Sequence, residues 1–243
     1  MLGSLGFETS KQFSHLIFAV RTLEKGEKAA GQFRIASPKA RIEDFAKRVD
    51  EDLQRLNIVL LNASLVKPSF QLVKETGYEG EYASGLVFTQ NYLSTVCLAL
   101  LLLPALRNKR ASPSQPGKLT IVNSVLSLTG KLSLNLERPE QPIVKSFDDS
   151  AKFSNTTWYN TSKTLMHLFL WKLSDYVTSE DVVINLVDPG YVKGTEAVSD
   201  MPAITALMAS EFAVVTGRTV EVGASTYVGA VAVKARRVMH ASS

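Results

Sequence analysis

The chain has 243 residues, 45% of them hydrophobic, with a formal net charge of +4 and a single cysteine, Cys97. This length is enough for one α/β domain whose core needs no disulfide, and one cysteine with three scattered histidines offers no metal site. The small positive charge is spread along the chain, which argues against nucleic acid as a partner.

The start of the chain carries no signal-peptide pattern, because residues 1–10 lack a basic segment followed by an apolar one. The most apolar run, residues 96–106, is shorter than the roughly 20 residues of a membrane span and contains Pro104. We therefore expect a cytoplasmic protein with no membrane span.

Short apolar runs alternate with longer helical stretches, a pattern typical of a parallel sheet with helices on both faces. The predicted strands are residues 16–20, 57–62, 119–123 and 182–187. The predicted helices are residues 22–35, 44–56, 82–107, 158–178 and 215–233. We expect Pro104 to kink or end the third helix and Asp44 to be the N-cap of the second.

Tyr159 and Lys163 lie four residues apart in the fourth predicted helix. This spacing places them on one helical face, with Cβ atoms about 5 to 6 Å apart. A neighbouring ammonium favours the ionised phenol, so the pair can exchange a proton closer to neutral pH than a free tyrosine can. The alternative interpretation is a surface tyrosine beside a solvated lysine.

Polar residues follow three of the predicted strands and support the first interpretation. Asn62 ends the second strand, and Ser124 follows the third. A turn from Asp188 to Gly190 follows the fourth. The carboxyl ends of parallel strands line the ligand crevice of open α/β sheets, so we expect these residues to meet there. Asn91 lies in a largely apolar helix, where a buried amide needs a partner.

Together these motifs resemble the short-chain dehydrogenase/reductase family over residues 3–233. The matching positions are Tyr159 with Lys163, Ser124, Asn91, Asn62-Ala63-Ser64 where the family has Asn-Ala-Gly, and Pro189-Gly190 followed by Val192 and Thr195. Residues 18–27 and 188–195 are similar to members from fungal specialised-metabolite pathways. The resemblance implies one α/β domain of Rossmann type over residues 1–243, with a doubly wound parallel sheet. Its nucleotide-binding half would span 1–62 and its catalytic half 82–195.

The resemblance also implies a role for each site residue. Tyr159 would donate a proton to the substrate carbonyl, and Ser124 would polarise the carbonyl oxygen. Lys163 would lower the pKa of the tyrosine and bond the nicotinamide ribose, and Asn91 would hold a water that links the lysine to solvent. Ser127 is an alternative for the serine role, although Ser124 directly follows the strand.

Arg21 follows the first predicted strand, where an acidic residue would bind the ribose 2′-hydroxyl of NAD and an arginine accommodates a 2′-phosphate. It indicates NADP(H), and a solvated arginine at a strand end is the alternative interpretation. The cofactor-binding residues that the resemblance implies are Leu5, Gly6, Arg21, Asn62, Tyr159, Lys163, Pro189, Gly190, Val192 and Thr195.

Residues 191–214 resemble the family's mobile substrate lid, and their apolar content indicates a hydrophobic ketone or alcohol as substrate. The resemblance also implies that the apolar helix at 82–106 is buried against a second subunit. We therefore expect a homodimer or a homotetramer.

The nucleotide-binding half departs from the family pattern. Only Gly6 of the glycine loop keeps its register, Ser4 replaces the glycine before it, and the first strand is missing or incomplete. We expect the third strand to begin at residues 40–43. Two hypotheses stay open: a working NADP(H)-dependent oxidoreductase that interconverts a ketone and a secondary alcohol, or a non-catalytic or weakly cofactor-binding relative that serves as a partner, a scaffold or an incomplete gene product.

Overall fold

The structure of the protein is a computed structural model that describes residues 17–19, 34–36, 42–71, 85–130, 147–192 and 217–232. Its strands are β1 (Ile17–Ala19), β2 (Arg34–Ala36), β3 (Ile58–Leu61), β4 (Gly117–Val122) and β5 (Val182–Val187). Its helices are α1 (Ile42–Asp52), α2 (Leu86–Asn108), α3 (Asn155–Leu173) and α4 (Val220–Ala232). Short 3₁₀ helices cover Val125–Thr129 and Ser150–Lys152.

Strand β4 lies at the centre of a three-stranded parallel sheet with the order β3-β4-β5. Leu119 pairs with Val59 on one side and with Ile184 on the other. The second, third and fourth predicted strands are confirmed, because continuous apolar runs of this length are typical of parallel strands buried on both faces.

Helices cover both faces of this sheet, which confirms the predicted doubly wound α/β fold. On one face Leu119 and Ile121 pack with side chains of α1, α2 and α3. On the other face Val122 and Val187 pack against Ala224 of α4. Since side chains alternate along a strand, adjacent residues of β4 enter opposite cores and fix its carboxyl end from both sides.

Strands β1 and β2 form a separate parallel pair in which Phe18 lies opposite Ile35. Within the described ranges no ladder joins this pair to β3. The family resemblance places one more strand, which precedes β1 in the sequence, between this pair and β3. The absence of that strand stays a prediction, because residues 1–16 lie outside the described ranges.

The region between β1 and α1 differs from the sequence-based prediction. The helix predicted at 22–35 is wrong at its end, since Arg34 and Ile35 belong to β2. The strand expected at 40–43 is also wrong, because α1 begins at Ile42. Asp44 is consequently not the N-cap but lies in the first turn, where a carboxylate complements the helix dipole.

The sequence predicts a kink or an end at Pro104, and helix α2 does not end there but continues to Asn108. Proline removes one backbone hydrogen bond, and here it does so close to the end of the helix, where little of the ladder remains. Burial of Ala105 and Leu106, which are 3% and 0% exposed, keeps the last turn on the sheet.

Among the described residues, α2 is the one helix that could cross a membrane by length and composition. Its 23 residues make it longer than the apolar run at 96–106 that the sequence shows. Its Ala99, Leu102 and Leu106 are buried against β4 in the main core. A core helix passes the same length and composition test, and these contacts give α2 that role in the fold.

Candidate active site

Tyr159 is positioned by the start of α3. Ser154 caps this helix, its hydroxyl accepting a hydrogen bond from a backbone amide at 3.4 Å, so the helix begins at Asn155 and not at the predicted Trp158. Trp158 is fully buried, and its ring lies edge-on to Phe147 with centroids 5.1 Å apart. This contact anchors the helical turn that carries Tyr159.

Lys163 lies on the same face of α3, with Nζ 5.6 Å from the centroid of the Tyr159 ring, as the spacing predicts. Its side chain is buried, and the ammonium donates a hydrogen bond to the Val122 carbonyl at 3.0 Å. Burial lowers the pKa of Lys163 to about 8, while the negative charge of Asp188 acts in the opposite direction. The Val122 carbonyl takes one of the three N–H donors that an ammonium carries.

Ser124 follows β4 and caps the 3₁₀ helix Val125–Thr129, its Oγ accepting from the amide of Leu126 at 3.2 Å. The same hydroxyl lies close enough to the Tyr159 phenol to favour its ionisation. Ser127 is buried, and its backbone carbonyl accepts from Thr164 at 2.5 Å. Of the two candidate serines, Ser124 is therefore the one that acts on the tyrosine.

The pKa of the Tyr159 phenol is raised above its ordinary value, which contradicts the expectation that Lys163 brings it toward neutrality. Burial is the main cause, because the phenolate loses hydration. The hydroxyls of Ser124 and Ser64 favour ionisation, whereas the carboxylate of Asp188 opposes it. Tyr159 consequently holds its proton at neutral pH.

Asn91 is 2% exposed and lies in the π-helical stretch Thr89–Leu93 of α2. Its Oδ1 accepts from the amide of Leu65 at 2.8 Å, and its Nδ2 donates to the carbonyl of the same residue at 2.9 Å. The buried amide therefore has the partner that the sequence requires, and it fixes the loop after β3.

Ser64 connects this loop to the tyrosine. Its hydroxyl donates to Asn91 Oδ1 at 3.3 Å and also favours ionisation of the Tyr159 phenol. The sequence analysis missed this contact, although a hydroxyl at the position where the family resemblance has glycine was the available signal.

The turn after β5 bends through Gly190, whose φ is +70°. A Cβ at this position would lie 3.0 Å from Nε of Arg218, so the turn requires glycine. Val192 is buried and forms an isolated parallel bridge with Arg218. Pro189 lies in the same turn, and its carbonyl accepts from Arg218 Nη1 at 3.3 Å.

Two further residues at this edge were not predicted as site residues. Asp188 follows β5 directly, and its charge acts on Tyr159, Lys163 and Tyr227. Tyr227 of α4 is 1% exposed and donates a hydrogen bond to Asn62 Oδ1 at 2.8 Å. The sequence places Asp188 at this edge, in the turn after the fourth predicted strand, but gives it no role, and nothing in the sequence pairs residues 62 and 227.

The donor set at this edge fits the nicotinamide ribose end of a dinucleotide. Dinucleotides bind at the carboxyl ends of parallel strands. Asn62 follows β3 and Gly190 lies in the turn after β5, and the ammonium of Lys163 lies at the end of β4. The positive φ of Gly190 lets the backbone approach a ligand closely. The other predicted cofactor residues, Leu5, Gly6, Arg21 and Thr195, lie outside the described residues, as do positions 193–214 of the predicted lid.

The fold and the site together define a doubly wound α/β protein with a tyrosine, lysine and serine site at the carboxyl edge of its sheet. No family model matches the chain. The chain is 44% identical over 250 residues to the short chain dehydrogenase/reductase mfmJ of Annulohypoxylon moriforme, covering 96% of this chain and 70% of that protein. It is 34% identical to the short chain dehydrogenase virL of Hypocrea virens, with coverage of 96% and 70%. The chain belongs to the short-chain dehydrogenase/reductase family of oxidoreductases.

Solved structures support the same fold. A short chain dehydrogenase from Shigella flexneri 2a, in complex with NADP, has a TM-score of 0.56 at 19% identity and covers 82% of this chain and 76% of its own. A reductase described as NADH-dependent and responsible for alginate metabolism has a TM-score of 0.58 at 16% identity, with coverage of 94% and 83%.

Proposed function

We propose that the protein is an NADP(H)-dependent oxidoreductase that interconverts a ketone and a secondary alcohol on a hydrophobic small molecule. The observation that carries this proposal is the Tyr159 phenol, which lies beside the Ser124 hydroxyl and the buried ammonium of Lys163. These three side chains supply a proton donor, a second hydroxyl donor and a positive charge in one place.

In the direction of carbonyl reduction, Tyr159 donates its proton to the carbonyl oxygen as negative charge develops there. Ser124 orients the same oxygen through its hydroxyl. A nicotinamide cofactor bound at this edge would supply the hydride. Lys163 would hold the nicotinamide ribose with its remaining N–H donors, and Asn91 fixes the loop that carries Ser64.

The preference for NADP(H) rests on Arg21, whose guanidinium would bind the 2′-phosphate. One structural neighbour is a complex with NADP and another is described as NADH-dependent, so similarity of fold alone leaves both dinucleotides open. The decisive comparison is the ratio of NADPH to NADH affinity in the wild type and in Arg21→Asp. An unchanged ratio would contradict the assignment.

The hydrophobic substrate is supported by the 3₁₀ helix that follows Ser124. Its Val125, Leu126 and Leu128 are 60%, 42% and 76% exposed, which places apolar surface beside the proton donor. We further propose a cytoplasmic role in fungal specialised metabolism, which rests on the sequence resemblance and agrees with the organisms of the relatives.

A homodimer or homotetramer is supported by apolar side chains on the outer faces of α2 and α3. Leu100, Leu101 and Trp171 are 47%, 40% and 71% exposed. Since exposed apolar surface marks interaction sites, we expect a second copy of the chain to cover these side chains. Light scattering of the wild type and of Trp171→Glu tests this, with a monomeric wild type as the contradicting result.

The second hypothesis, a weakly cofactor-binding relative, is favoured by the separation of the β1–β2 pair from the three-stranded sheet within the described ranges. Fluorescence titration with NADPH and NADH separates the two hypotheses. We expect NADPH binding, with carbonyl reduction abolished and binding spared in Tyr159→Phe. Absence of binding at millimolar concentration of either dinucleotide would overturn the enzymatic proposal.

A further inference from the structure

The carboxylate of Asp188 joins two loops of the candidate site. Its Oδ2 accepts from the backbone amide of Val125 at 2.8 Å, and its Oδ1 accepts from that of Gly190 at 2.8 Å. Hydrogen bonds to an ionised acceptor are about twice as strong as neutral ones. A single side chain therefore links the loop after β4 to the turn after β5.

Both loops carry residues of the proposed reaction. Val125 directly follows Ser124, whose hydroxyl acts on the ionisation of the Tyr159 phenol. Gly190 forms the turn that we assign to the cofactor. We propose that Asp188 is a positioning residue that fixes the Ser124 hydroxyl relative to the nicotinamide-binding turn, an inference that rests on the proposed function. Placement errors of about 1 Å can cost roughly 100-fold in rate, so such a link matters for turnover.

The charge of Asp188 adds a second effect. The titratable groups that respond to it are Tyr159 and Lys163 of α3 and Tyr227 of α4, and it raises the pKa of each. The guanidinium of Arg218 lies on the same turn, against Gly190. By keeping the Tyr159 phenol protonated and Lys163 charged, Asp188 favours the proton-donating state that carbonyl reduction requires.

The test compares Asp188→Asn and Asp188→Ala with Asp181→Asn. In Asp188→Asn the amide keeps one acceptor but presents N–H to the other loop. Asp181 is a matched control because it is a carboxylate at the opposite end of β5, where it pairs with Arg107 at 3.3 Å and Arg110 at 3.2 Å. All variants are assayed for kcat, KM, the pH profile of reduction, and hydrogen exchange of individual backbone amides by NMR.

We expect kcat to fall about tenfold or more in Asp188→Asn and further in Asp188→Ala, by the positioning argument. The alkaline limb of the reduction profile should move to lower pH in Asp188→Asn, because the phenol and the ammonium both lose their protons more easily without the carboxylate. The control should keep the wild-type profile even if its thermal stability drops.

Hydrogen exchange reports on the link without any catalytic assay. Exchange of the Val125 and Gly190 amides should accelerate in Asp188→Ala and stay at the wild-type rate in Asp181→Asn. Unchanged exchange, or an unchanged pH profile in Asp188→Asn, would overturn the role of Asp188. A different result would overturn the proposed function instead. In that case the wild type has no dinucleotide-dependent activity, but Asp188 still protects the two amides from exchange and so has only a structural role.

Discussion

The hydroxyl of Tyr227 donates a hydrogen bond to Oδ1 of Asn62 at 2.8 Å, across 165 residues of sequence. The bond ties helix α4 to the end of β3. Tyr227 is buried, and burial raises the pKa of its phenol, so it stays a neutral donor. The orientation of the Asn62 amide, a predicted cofactor-binding group, is therefore set by the helix on the far side of the sheet.

Replacing Tyr227 by phenylalanine should cost about 1 kcal/mol of stability, because a partly buried amide oxygen loses its donor. The affinity for NADPH should fall as well, since the Asn62 amide is free to rotate. Urea unfolding and fluorescence titration measure the two effects. The control is Tyr176→Phe, because Tyr176 is 76% exposed and its loss should change neither quantity. Equal behaviour of the two variants would contradict the role of Tyr227.

Asn91→Ala should destabilise the protein by about 2 to 4 kcal/mol, because it leaves both backbone groups of Leu65 without their partner. Asn91→Asp should also destabilise the protein, because it keeps the acceptor but places a carboxylate oxygen against the Leu65 carbonyl. Asn108→Ala, an exposed position on the same helix, serves as the control. A loss in Asn91→Ala no greater than in the control would show that the loop is held by other contacts.

The meeting of Tyr159, Lys163, Ser124 and Asn91 could be predicted from the sequence because each rests on a local rule. A spacing of four fixes two side chains on one helical face, and parallel strands end at one edge of a sheet. An apolar helix requires a partner for its one buried amide. None of these rules depends on the details of packing.

Other features depend on tertiary packing and were missed for that reason. The contact between Tyr227 and Asn62 exists only once α4 has docked on the sheet. The raised pKa of Tyr159 follows from its burial and from Asp188, neither of which the helical spacing reveals. The predicted start of α1 is wrong because the sequence around Ile42 is compatible with either a strand or a helix. The packing of Ala46 in the core selects the helix.

Carbonyl reduction should fall as the pH rises through about 8, because burial lowers the pKa of Lys163 to about 8 and the neutral amine loses its charge. Stability should change in the other direction. The unfolded lysine titrates near 10.5, so between these values the unfolded state binds more protons and the contribution of Lys163 to stability rises with pH.

The variant Lys163→Met should be inactive and should lack this rise in stability between pH 8 and 10.5. Lys118→Met is the control for activity, because Lys118 is partly buried but lies away from the site and donates to the Val231 carbonyl at 2.5 Å, at the end of α4. Its pH–rate profile should match that of the wild type. A profile that stays flat through pH 8 in the wild type would show that the charge of Lys163 is dispensable.

Two glycines allow a matched test of the turn after β5. Gly190→Ala should cost about 1 to 2 kcal/mol, because a side chain is strained in the left-handed region, and its Cβ would also press on Arg218. Gly229→Ala in α4 should instead gain about 0.5 to 1 kcal/mol, because its Cβ meets no atom within 4 Å and the helix loses a flexible residue. Urea unfolding measures both changes, and NADPH titration should show weaker binding for Gly190→Ala alone. Full stability with unchanged affinity in Gly190→Ala would mean that neither the turn nor the cofactor requires glycine there.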